Sequence, residues 1–497
     1  MEKLQFVTDL LDSLNQNNVN YCHFKSNEHL DAAISGDTDL DILFAYNDAE
    51  KANEILLAIG FKKFNTAWFV NYPYVADYIA IEKGKIIHVH AHFRLIIGES
   101  KVKSYILPWD IEILENRVFD EEHSIYTSNP VDEMLLLIVR TALKLPGNSI
   151  NYDKKRDIID GKREFEWLRN RVKKEKLSKL SETKFGEKIC AVVENIYDQS
   201  INYNNIRKFH KIAEIELKKH RRFSFLQSKV IRFTRRSAQI FSLINRKYSV
   251  IPNLKNHRTL NSKGLIITLM GADGSGKSTQ VNNITNLLRK KMDVRYVYMG
   301  SGNGPSSWHR FILKIGKDFL VNKNKETKYK DATKKHSTSG LNFKKILNAI
   351  YYTSLAIEKK TKLNKLDKYR NKGMICVTDR YPQIQLFGYN DGLHMHDWLT
   401  SRNFILRRIA EFEYNCYHLS TKIEPNIVFK LIGDPEVLHQ RRKEMNLEEI
   451  EKKQQGIKDI TFSNNVKTYE INAENKIEDT TAYILDMIGE EIKNSIN

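Results

Sequence analysis

Nine consecutive residues in the second half of the chain have the types and the spacing that a phosphate cradle needs. They fit the pattern G-x-x-x-x-G-K-[ST] and read Gly271-Ala272-Asp273-Gly274-Ser275-Gly276-Lys277-Ser278-Thr279. Glycines let backbone N–H groups turn toward phosphate oxygens, and the lysine adds a cation for the β- and γ-phosphates. The serine hydroxyl can hold Mg²⁺, and the N-terminus of a following helix favours the anion. The stretch therefore predicts a site for nucleotide phosphates.

The flanking segments predict the strand and the helix that position this loop. Residues 265–270 form a short apolar run, as a buried parallel strand does, and apolar residues recur at helical intervals after Lys277. Other strand-like runs are separated by helical stretches and cover residues 294–299, 374–378, 427–432 and 467–471. This order predicts an α/β fold with a doubly wound, five-stranded parallel sheet, whose chemistry lies at the carboxyl ends of the strands.

Charged residues follow two of these predicted strands. Asp379 directly follows the predicted strand 374–378, where its carboxylate can hold Mg²⁺ or accept a proton. The adjacent Arg380 can bind an acceptor phosphate through two hydrogen bonds. After the run 427–432 comes a helix that carries Arg441 and Arg442. Such an arginine pair suits a lid that neutralises a transferring phosphoryl group, or else a charged helix end in water.

Together, these motifs resemble thymidylate kinase and its nucleoside-monophosphate kinase relatives. The resemblance covers residues 264–497 and is carried by the phosphate loop running into Gln280, by Asp379-Arg380-Tyr381, and by Asp434-Pro435-Glu436-Val437 followed by Arg441-Arg442. It implies the use of ATP and Mg²⁺ and phosphoryl transfer to dTMP or a related monophosphate. Asp273 would face the acceptor, and Lys277, Asp379, Arg380, Arg441 and Arg442 would act in catalysis.

One departure from that family concerns the acceptor. The family carries an Arg-Glu-Pro-Gly stretch after its second strand, whereas this chain has Met299-Gly300-Ser301-Gly302-Asn303-Gly304-Pro305, without an arginine. A different nucleotide, or a phosphorylated or sugar-like acceptor, therefore stays open. So do two alternative functions: a kinase acting on a glycan or a membrane-linked precursor, and a nucleotide-binding switch whose basic segment binds nucleic acid or a protein partner.

A second candidate site lies near the N-terminus, where Asp39 and Asp41 follow Gly36. Alternation along a strand places both carboxylates on one face, where they can share a divalent metal. The order of helix, strand, small loop and acidic strand resembles the nucleotidyltransferase fold, an α+β fold, over residues 1–145. Whether this domain is active stays open, because spacing alone also fits an edge strand with a solvated acidic face.

The strand that usually supplies a third carboxylate in that family carries histidines here. His88, His90 and His92 alternate within residues 86–93 and therefore share a face. Three imidazoles beside two carboxylates suit a transition metal such as Zn, Fe or Ni. The reading we favour from the sequence is the simpler one, a half-exposed strand with polar histidines.

The positive charge of the chain is concentrated in its middle. The net charge is +19, and the segment from Arg207 to Lys263 holds 16 Lys/Arg against two acids, Glu214 and Glu216. Residues 221–247 predict a basic amphipathic helix with Phe223, Leu226, Val230, Phe233, Ile240 and Ile244 at helical spacing. Such a helix can lie on an anionic membrane, bind nucleic acid, which is the less favoured partner, or serve as a linker that packs on a domain.

Composition bounds the remaining expectations. The four cysteines are far apart and form no C-x-x-C pair, which favours a reducing compartment and argues against structural zinc. No signal peptide and no apolar run of about 18 residues is present, so we expect a cytoplasmic protein, peripheral at the inner membrane face if the basic helix binds lipid, with a homodimer as a further expectation. The predicted segments are a domain at residues 1–145, a helical appendage at 146–220, a basic amphipathic helix and linker at 221–263, and a domain at 264–497 with a Lys-rich, disordered insert at 322–340.

Overall fold

The computed structural model describes residues 3–144, 152–248, 254–300 and 343–495. The chain divides into two compact units, Met1–Tyr248 and Ser249–Asn497. The first two segments predicted from the sequence fall in the first unit, and the basic segment predicted at 221–263 is divided between the units. The predicted insert at 322–340 and the residues 301–305 lie outside the described residues.

The first unit combines ten described helices with nine strands. The helices are α1 (Gln5–Gln16), α2 (Leu30–Ile34), α3 (Ala49–Ile59), α4 (Asp110–Glu115), α5 (Pro130–Leu143), α6 (Tyr152–Arg169), α7 (Lys174–Phe185), α8 (Cys190–Gln199), α9 (Tyr203–Glu216) and α10 (Phe225–Tyr248). The strands are β1 (Tyr21–His23), β2 (Leu40–Phe44), β3 (Lys62–Asn65), β4 (Val75–Glu82), β5 (Lys85–His92), β6 (Leu95–Ile97), β7 (Tyr105–Leu107), β8 (Val118–Asp120) and β9 (Ile125–Thr127).

Seven of these strands are neighbours in one mixed sheet, in the order β3-β4-β5-β2-β1-β9-β8, while β6 and β7 pair separately. Strand β2 pairs in parallel with β5, which places Asp41 opposite His90. Strand β4 pairs antiparallel with β5, which places Asp77 opposite His90 from the other side. The register therefore gathers acidic and imidazole side chains on three adjacent strands.

The helices that follow residue 152 share a hydrophobic core with the start of the chain. Helix α5 begins at Pro130, where the Asn129 side chain accepts a hydrogen bond from the Val131 backbone N–H. Its apolar residues pack in one cluster with Phe165 and Phe209 of the later helices and with Leu43 of β2. The predicted helical segment is therefore an integral part of the first unit, because its apolar faces are buried against α5.

The second unit is an α/β domain. Its helices are α11 (Lys277–Arg289), α12 (Phe343–Arg370), α13 (Phe404–Lys422), α14 (Pro435–Arg441), α15 (Leu447–Asp459) and α16 (Ile477–Asn494). Its strands are β10 (Thr259–Leu260), β11 (Ile266–Gly271), β12 (Val294–Tyr298), β13 (Ile375–Asp379), β14 (Ile427–Ile432) and β15 (Lys467–Asn472).

The last five strands form a parallel sheet in the order β12-β13-β11-β14-β15. This confirms the predicted doubly wound sheet, and each predicted run lies within one residue of the observed strand. Strands β11, β13 and β14 are buried because they lie inside the sheet, which is why they read as continuous apolar runs. Among the described helices of both units, none combines the length and the apolar composition that crossing a bilayer demands.

Candidate functional site

The phosphate loop connects the end of β11 to the start of α11. Gly274 and Gly276 adopt left-handed backbone conformations, with φ of +88° and +77°. A Cβ atom on Gly274 would lie 2.6 Å from the backbone oxygen of Leu438, so only glycine fits there without displacing backbone. Helix α11 begins at Lys277, and the N–H groups of its first turn have no partner within the helix. The loop therefore has the backbone shape that an anion site at a helix N-terminus needs.

Two side chains of α11 contact the carboxylate that ends β13. Register in the sheet pairs Leu269 with Asp379, which brings the end of β13 beside the loop. The Nζ atom of the buried Lys277 lies 2.9 Å from Asp379 Oδ1. The Ser278 hydroxyl donates a hydrogen bond to Asp379 Oδ2 at 3.4 Å. A cation, a hydroxyl and a carboxylate thus meet at the carboxyl edge of the sheet, as the sequence predicted.

These residues fit a nucleotide phosphate and its magnesium ion. The Ser275 hydroxyl is buried and has no hydrogen-bond partner among the described residues, so it is available to a phosphate oxygen. Ser278 and Thr279 are exposed on the first turn of α11. Hydroxyl and carboxylate oxygens are the ligands that Mg²⁺ prefers, and Ser278 and Asp379 present both types side by side.

Within the phosphate loop, the Asp273 side chain contacts two cations. Arg380 Nη2 lies 3.2 Å from one of its carboxylate oxygens and Lys453 Nζ lies 2.8 Å from the other. Burial opposes ionisation of Asp273, but the two cations outweigh it and hold its pKa below the usual value. Lys453 lies on α15, and no motif in the sequence distinguished it from the other lysines of that helix.

Arg380 is fixed in position by buried partners. Its φ of +72° is unusual for a residue with a side chain, and such strain persists only where the surroundings enforce it. Its backbone N–H donates to Leu269 O at 2.9 Å, and its Nη1 lies 3.8 Å from Asp391 Oδ2. Asp391 also forms an ion pair with Lys359, whose Nζ lies 2.8 Å from Asp391 Oδ1. Burial would raise the pKa of Asp391, but Lys359 and Arg380 hold it below the usual value.

The predicted arginine pair separates in the structure. Arg441 Nη1 donates to Ala473 O at 3.0 Å and to Gly274 O at 3.5 Å, so it lies against the phosphate loop. Arg442 pairs with Glu444 at 3.0 Å, and both of these side chains are exposed. The structure thus places only Arg441 beside the site, while the lid role of Arg442 stays a prediction.

In the first unit, both acidic residues of the predicted site already have basic partners. Asp39 lies just before β2, and its Oδ1 is 2.9 Å from His88 Nδ1. Asp41 Oδ1 lies 2.9 Å from Lys25 Nζ and 2.9 Å from His90 Nδ1. Burial opposes ionisation of Asp41, but Lys25 and His90 outweigh it and hold its pKa well below the usual value.

The three histidines are more buried than the half-exposed strand we favoured from the sequence. His88 and His92 are buried and His90 is partly exposed, because β5 lies inside the sheet between β2 and β4. Burial lowers the pKa of His90, although Asp41 opposes the shift, and burial together with His90 lowers the pKa of His92 further. Neutral imidazole is the form that binds metals.

A third carboxylate is present, on a strand where the sequence did not reveal it. Asp77 of β4 lies with its Oδ1 2.8 Å from His88 Nε2. One ligand atom each from Asp41, His90 and His92 fall within 4.8 Å of one another, a spacing that can hold a metal ion. The acid–histidine arrangement therefore exists, and its use as a metal site stays a prediction.

With this geometry established, similarity to known proteins can be stated. No protein-family model matches the chain. It is 26% identical over 223 residues to the uncharacterized ATP-binding protein YghS of Escherichia coli strain K12, covering 44% of this chain and 91% of that protein. It is 24% identical over 212 residues to the uncharacterized ATP-binding protein YghR of the same strain, covering 42% of this chain and 80% of that protein. Thymidylate kinase from Candida albicans is a similar solved structure, with 16% identity, coverage of 47% of this chain and 96% of that chain, and a TM-score of 0.27. The second unit is an α/β domain with a P-loop on the evidence of its own loop and sheet.

Proposed function

We propose that the second unit transfers a phosphoryl group from ATP to an acceptor that carries a phosphate. The observation that carries this proposal is the placement of Asp379 and Arg380. These neighbours at the end of β13 face two different sites, because Asp379 contacts Lys277 and Arg380 contacts Asp273. One strand end therefore serves a donor site and an acceptor site together. The printed names of YghS and YghR as ATP-binding proteins support ATP as the donor.

On the donor side, the chain supplies positioning and charge. The loop N–H groups and the Ser275 hydroxyl bind phosphate oxygens, and Lys277 is directed at the β- and γ-phosphates. Ser278 and Asp379 are the residues that would hold Mg²⁺, which when bound neutralises charge on the β- and γ-phosphates. Lys277 and Ser278 both contact Asp379, so the cation, the hydroxyl and the carboxylate of the donor side lie together.

On the acceptor side, Arg380 and Lys453 form a second cationic site. Both cations are bound to Asp273. An incoming acceptor phosphate competes for them, since arginine binds phosphate through two parallel hydrogen bonds. Asp273 is then released to accept a hydrogen bond from the body of the acceptor. A nucleotide-binding switch has no need for this second pair of cations, which is why we favour group transfer over the switch.

For the acceptor, dTMP or a related nucleoside monophosphate is the first candidate. A different phosphorylated acceptor is the second, and the region after β12 favours keeping it. Lys362 donates to Tyr298 O at 2.7 Å and Lys359 donates to Met299 O, so the start of the stretch that replaces the family's Arg-Glu-Pro-Gly is held by lysines through backbone carbonyls. Magnesium, the acceptor and the turnover are parts of this proposal.

The test is transfer from labelled ATP with Mg²⁺ to a panel of acceptors. The panel contains dTMP, other nucleoside monophosphates, sugar phosphates and lipid-linked phosphates, and ATP hydrolysis without acceptor is measured in parallel. Labelled product from one class, absent with the Lys277→Ala variant, supports the proposal. Tight ATP binding without transfer to any acceptor would favour the switch.

A further inference from the structure

Helix α10 packs its polar side against the rest of the first unit. Arg232 Nη2 lies 3.8 Å from Glu99 Oε1, and Arg235 donates to the backbone oxygens of Lys101 at 3.1 Å and Asn71 at 3.2 Å. The buried residues of the described part of this helix are also polar, namely Ser228, Ser242 and Asn245. This arrangement is the reverse of a helix that packs on a core, whose apolar side faces inward.

The opposite side of α10 is apolar and exposed. We call it the α10 stripe, formed by Leu226, Val230, Phe233, Ile240 and Ile244. At 100° per residue these five side chains fall within an arc of about 80°, roughly opposite Arg235. Leu226 and Phe233 are each 73% exposed, and the least exposed of the five, Ile244, is still 46% exposed. Apolar residues scattered over a surface need no explanation, but five large apolar side chains along one side of a helix, with only the small Ser237 among them, indicate an interaction surface.

The charges around the stripe are all of one sign. Helix α10 contains six Lys/Arg and no Asp/Glu over its 24 residues. Lys229 and Arg236 are exposed and lie along one edge of the stripe. A surface that complements this helix must therefore be apolar beneath and negatively charged at its boundary.

We propose that α10 lies flat on an anionic lipid membrane. The α10 stripe enters the boundary between headgroups and acyl chains, and Lys229 and Arg236 meet lipid phosphates. The helix is about 36 Å long, so it lies in the plane of the interface while its arginines hold the first unit above it. No spanning segment is required.

The same observations disfavour other occupants. Binding to nucleic acid uses the cations but leaves the apolar stripe in water. Pairing with the α10 helix of a second copy buries the stripe but brings two acid-free, basic helices together, and like charges repel. An anionic membrane satisfies both features.

The test is co-sedimentation of the full chain with vesicles of phosphatidylglycerol and of phosphatidylcholine, at low and physiological salt. We expect binding to the anionic vesicles only, weakened by salt. Phe233→Asp should weaken this binding by about tenfold or more, because it places a charge in the apolar stripe. The matched control is Ile215→Asp on α9, since Ile215 is 71% exposed but lies outside the stripe. That variant should bind like the wild type. Lys229→Glu with Arg236→Glu should also weaken binding.

Four results would overturn the proposal. The first two are the absence of binding to phosphatidylglycerol vesicles at low salt, and equal vesicle binding by Phe233→Asp and wild type. The third is self-association without vesicles, abolished by Phe233→Asp. The fourth is binding to a DNA or RNA duplex in place of vesicles, unchanged by Phe233→Asp. The third result would assign the stripe to a second copy, and the fourth would assign the basic residues to nucleic acid. Because Phe233 is exposed, its substitution should leave the thermal unfolding temperature unchanged, and the same measurement verifies the fold of each variant.

Discussion

The two units each place an aspartate on a strand beside a lysine, and they differ in what surrounds the pair. In the second unit, Asp379 contacts Lys277 and Ser278 at the start of a helix whose first N–H groups have no partner within the helix. In the first unit, Asp41 contacts Lys25 and His90, and no helix N-terminus takes part in these contacts. The arrangement around Asp379 in the second unit is suited to receive an anion, and the arrangement around Asp41 in the first unit is suited to receive a cation.

The difference also concerns how the basic partners are held. Lys277 lies in the first turn of α11, and its ammonium group can approach a phosphate while Ser278 keeps contact with Asp379. Lys25 instead shares an Asp41 carboxylate oxygen with a histidine, since both His90 Nδ1 and Lys25 Nζ lie 2.9 Å from Asp41 Oδ1. A metal ion bound at Asp41 would therefore compete with the Lys25 ammonium group, whereas a phosphate bound at the loop would be attracted by Lys277.

The largest expected effect separates the two lysines. Lys277→Ala should lower ATP-dependent phosphoryl transfer by about 10²–10³-fold, because a positioned cation on the transferring phosphates is lost. Lys25→Ala, which removes the corresponding partner in the first unit, should leave transfer within a factor of about two. Steady-state turnover with the best acceptor measures both. Full turnover by Lys277→Ala would show that the loop has no catalytic role. Ser278→Ala provides a second variant if Lys277→Ala unfolds.

Arg380 should affect the acceptor more than the nucleotide. Arg380→Ala should lower kcat/KM for the acceptor by about 10²-fold while ATP affinity changes much less, since Arg380 contacts the side chain of Asp273, whereas Lys277 and Ser278 contact Asp379. The matched control is Arg408→Ala, because Arg408 is an exposed arginine of the same unit that pairs with Glu411. A loss of ATP affinity with unchanged acceptor kinetics would reverse the assignment.

The contrast between the units explains what the sequence could predict. The phosphate loop is contiguous, and the strand and helix around it have clear periodicity, so its position in the parallel sheet followed from the sequence. Lys453 and Asp391 are single polar residues without a motif; Asp391 reaches Arg380 from the segment between β13 and α13, and Lys453 reaches Asp273 through the packing of α15. In the first unit, Asp77 joins the histidines through an antiparallel register that no local pattern encodes. Long-range pairing therefore limited the prediction of partners more than the prediction of elements.

Metal binding tests the first unit directly. We expect calorimetry on the full chain without nucleotide, titrated with Zn²⁺ or Mn²⁺, to show a binding event that Asp39→Asn/Asp41→Asn removes. Asp379→Asn should retain it, because Asp379 belongs to the other unit. Lys25→Met should tighten metal binding by about tenfold, since a cation that competes for Asp41 is lost.

Three results would contradict parts of this expectation. Equal metal binding by wild type and by Asp39→Asn/Asp41→Asn would show that the acids only support the strand through His88 and His90. Loss of all binding in Asp379→Asn would assign the metal to the second unit. Weaker binding by Lys25→Met would mean that Lys25 organises the site instead of competing with the ion.

The smallest expected effect tests whether the second unit is arranged in advance. Arg441 contacts the backbone of the phosphate loop through Gly274 O, whereas Arg442 contacts Glu444 at the surface. If the site is arranged before substrates bind, Arg441→Ala should lower kcat/KM for ATP by about tenfold, because one hydrogen bond from a charged group is lost. Arg442→Ala should then lower kcat/KM for ATP by less than about twofold. If α14 moves as a lid, Arg442 reaches the phosphates only in the closed state, and its removal should lower kcat at least as much as that of Arg441. Measuring kcat and KM for both variants distinguishes the two cases. In a prearranged site, removal of the Arg441 side chain weakens ATP binding, whereas in a closing lid, removal of the Arg442 side chain lowers kcat.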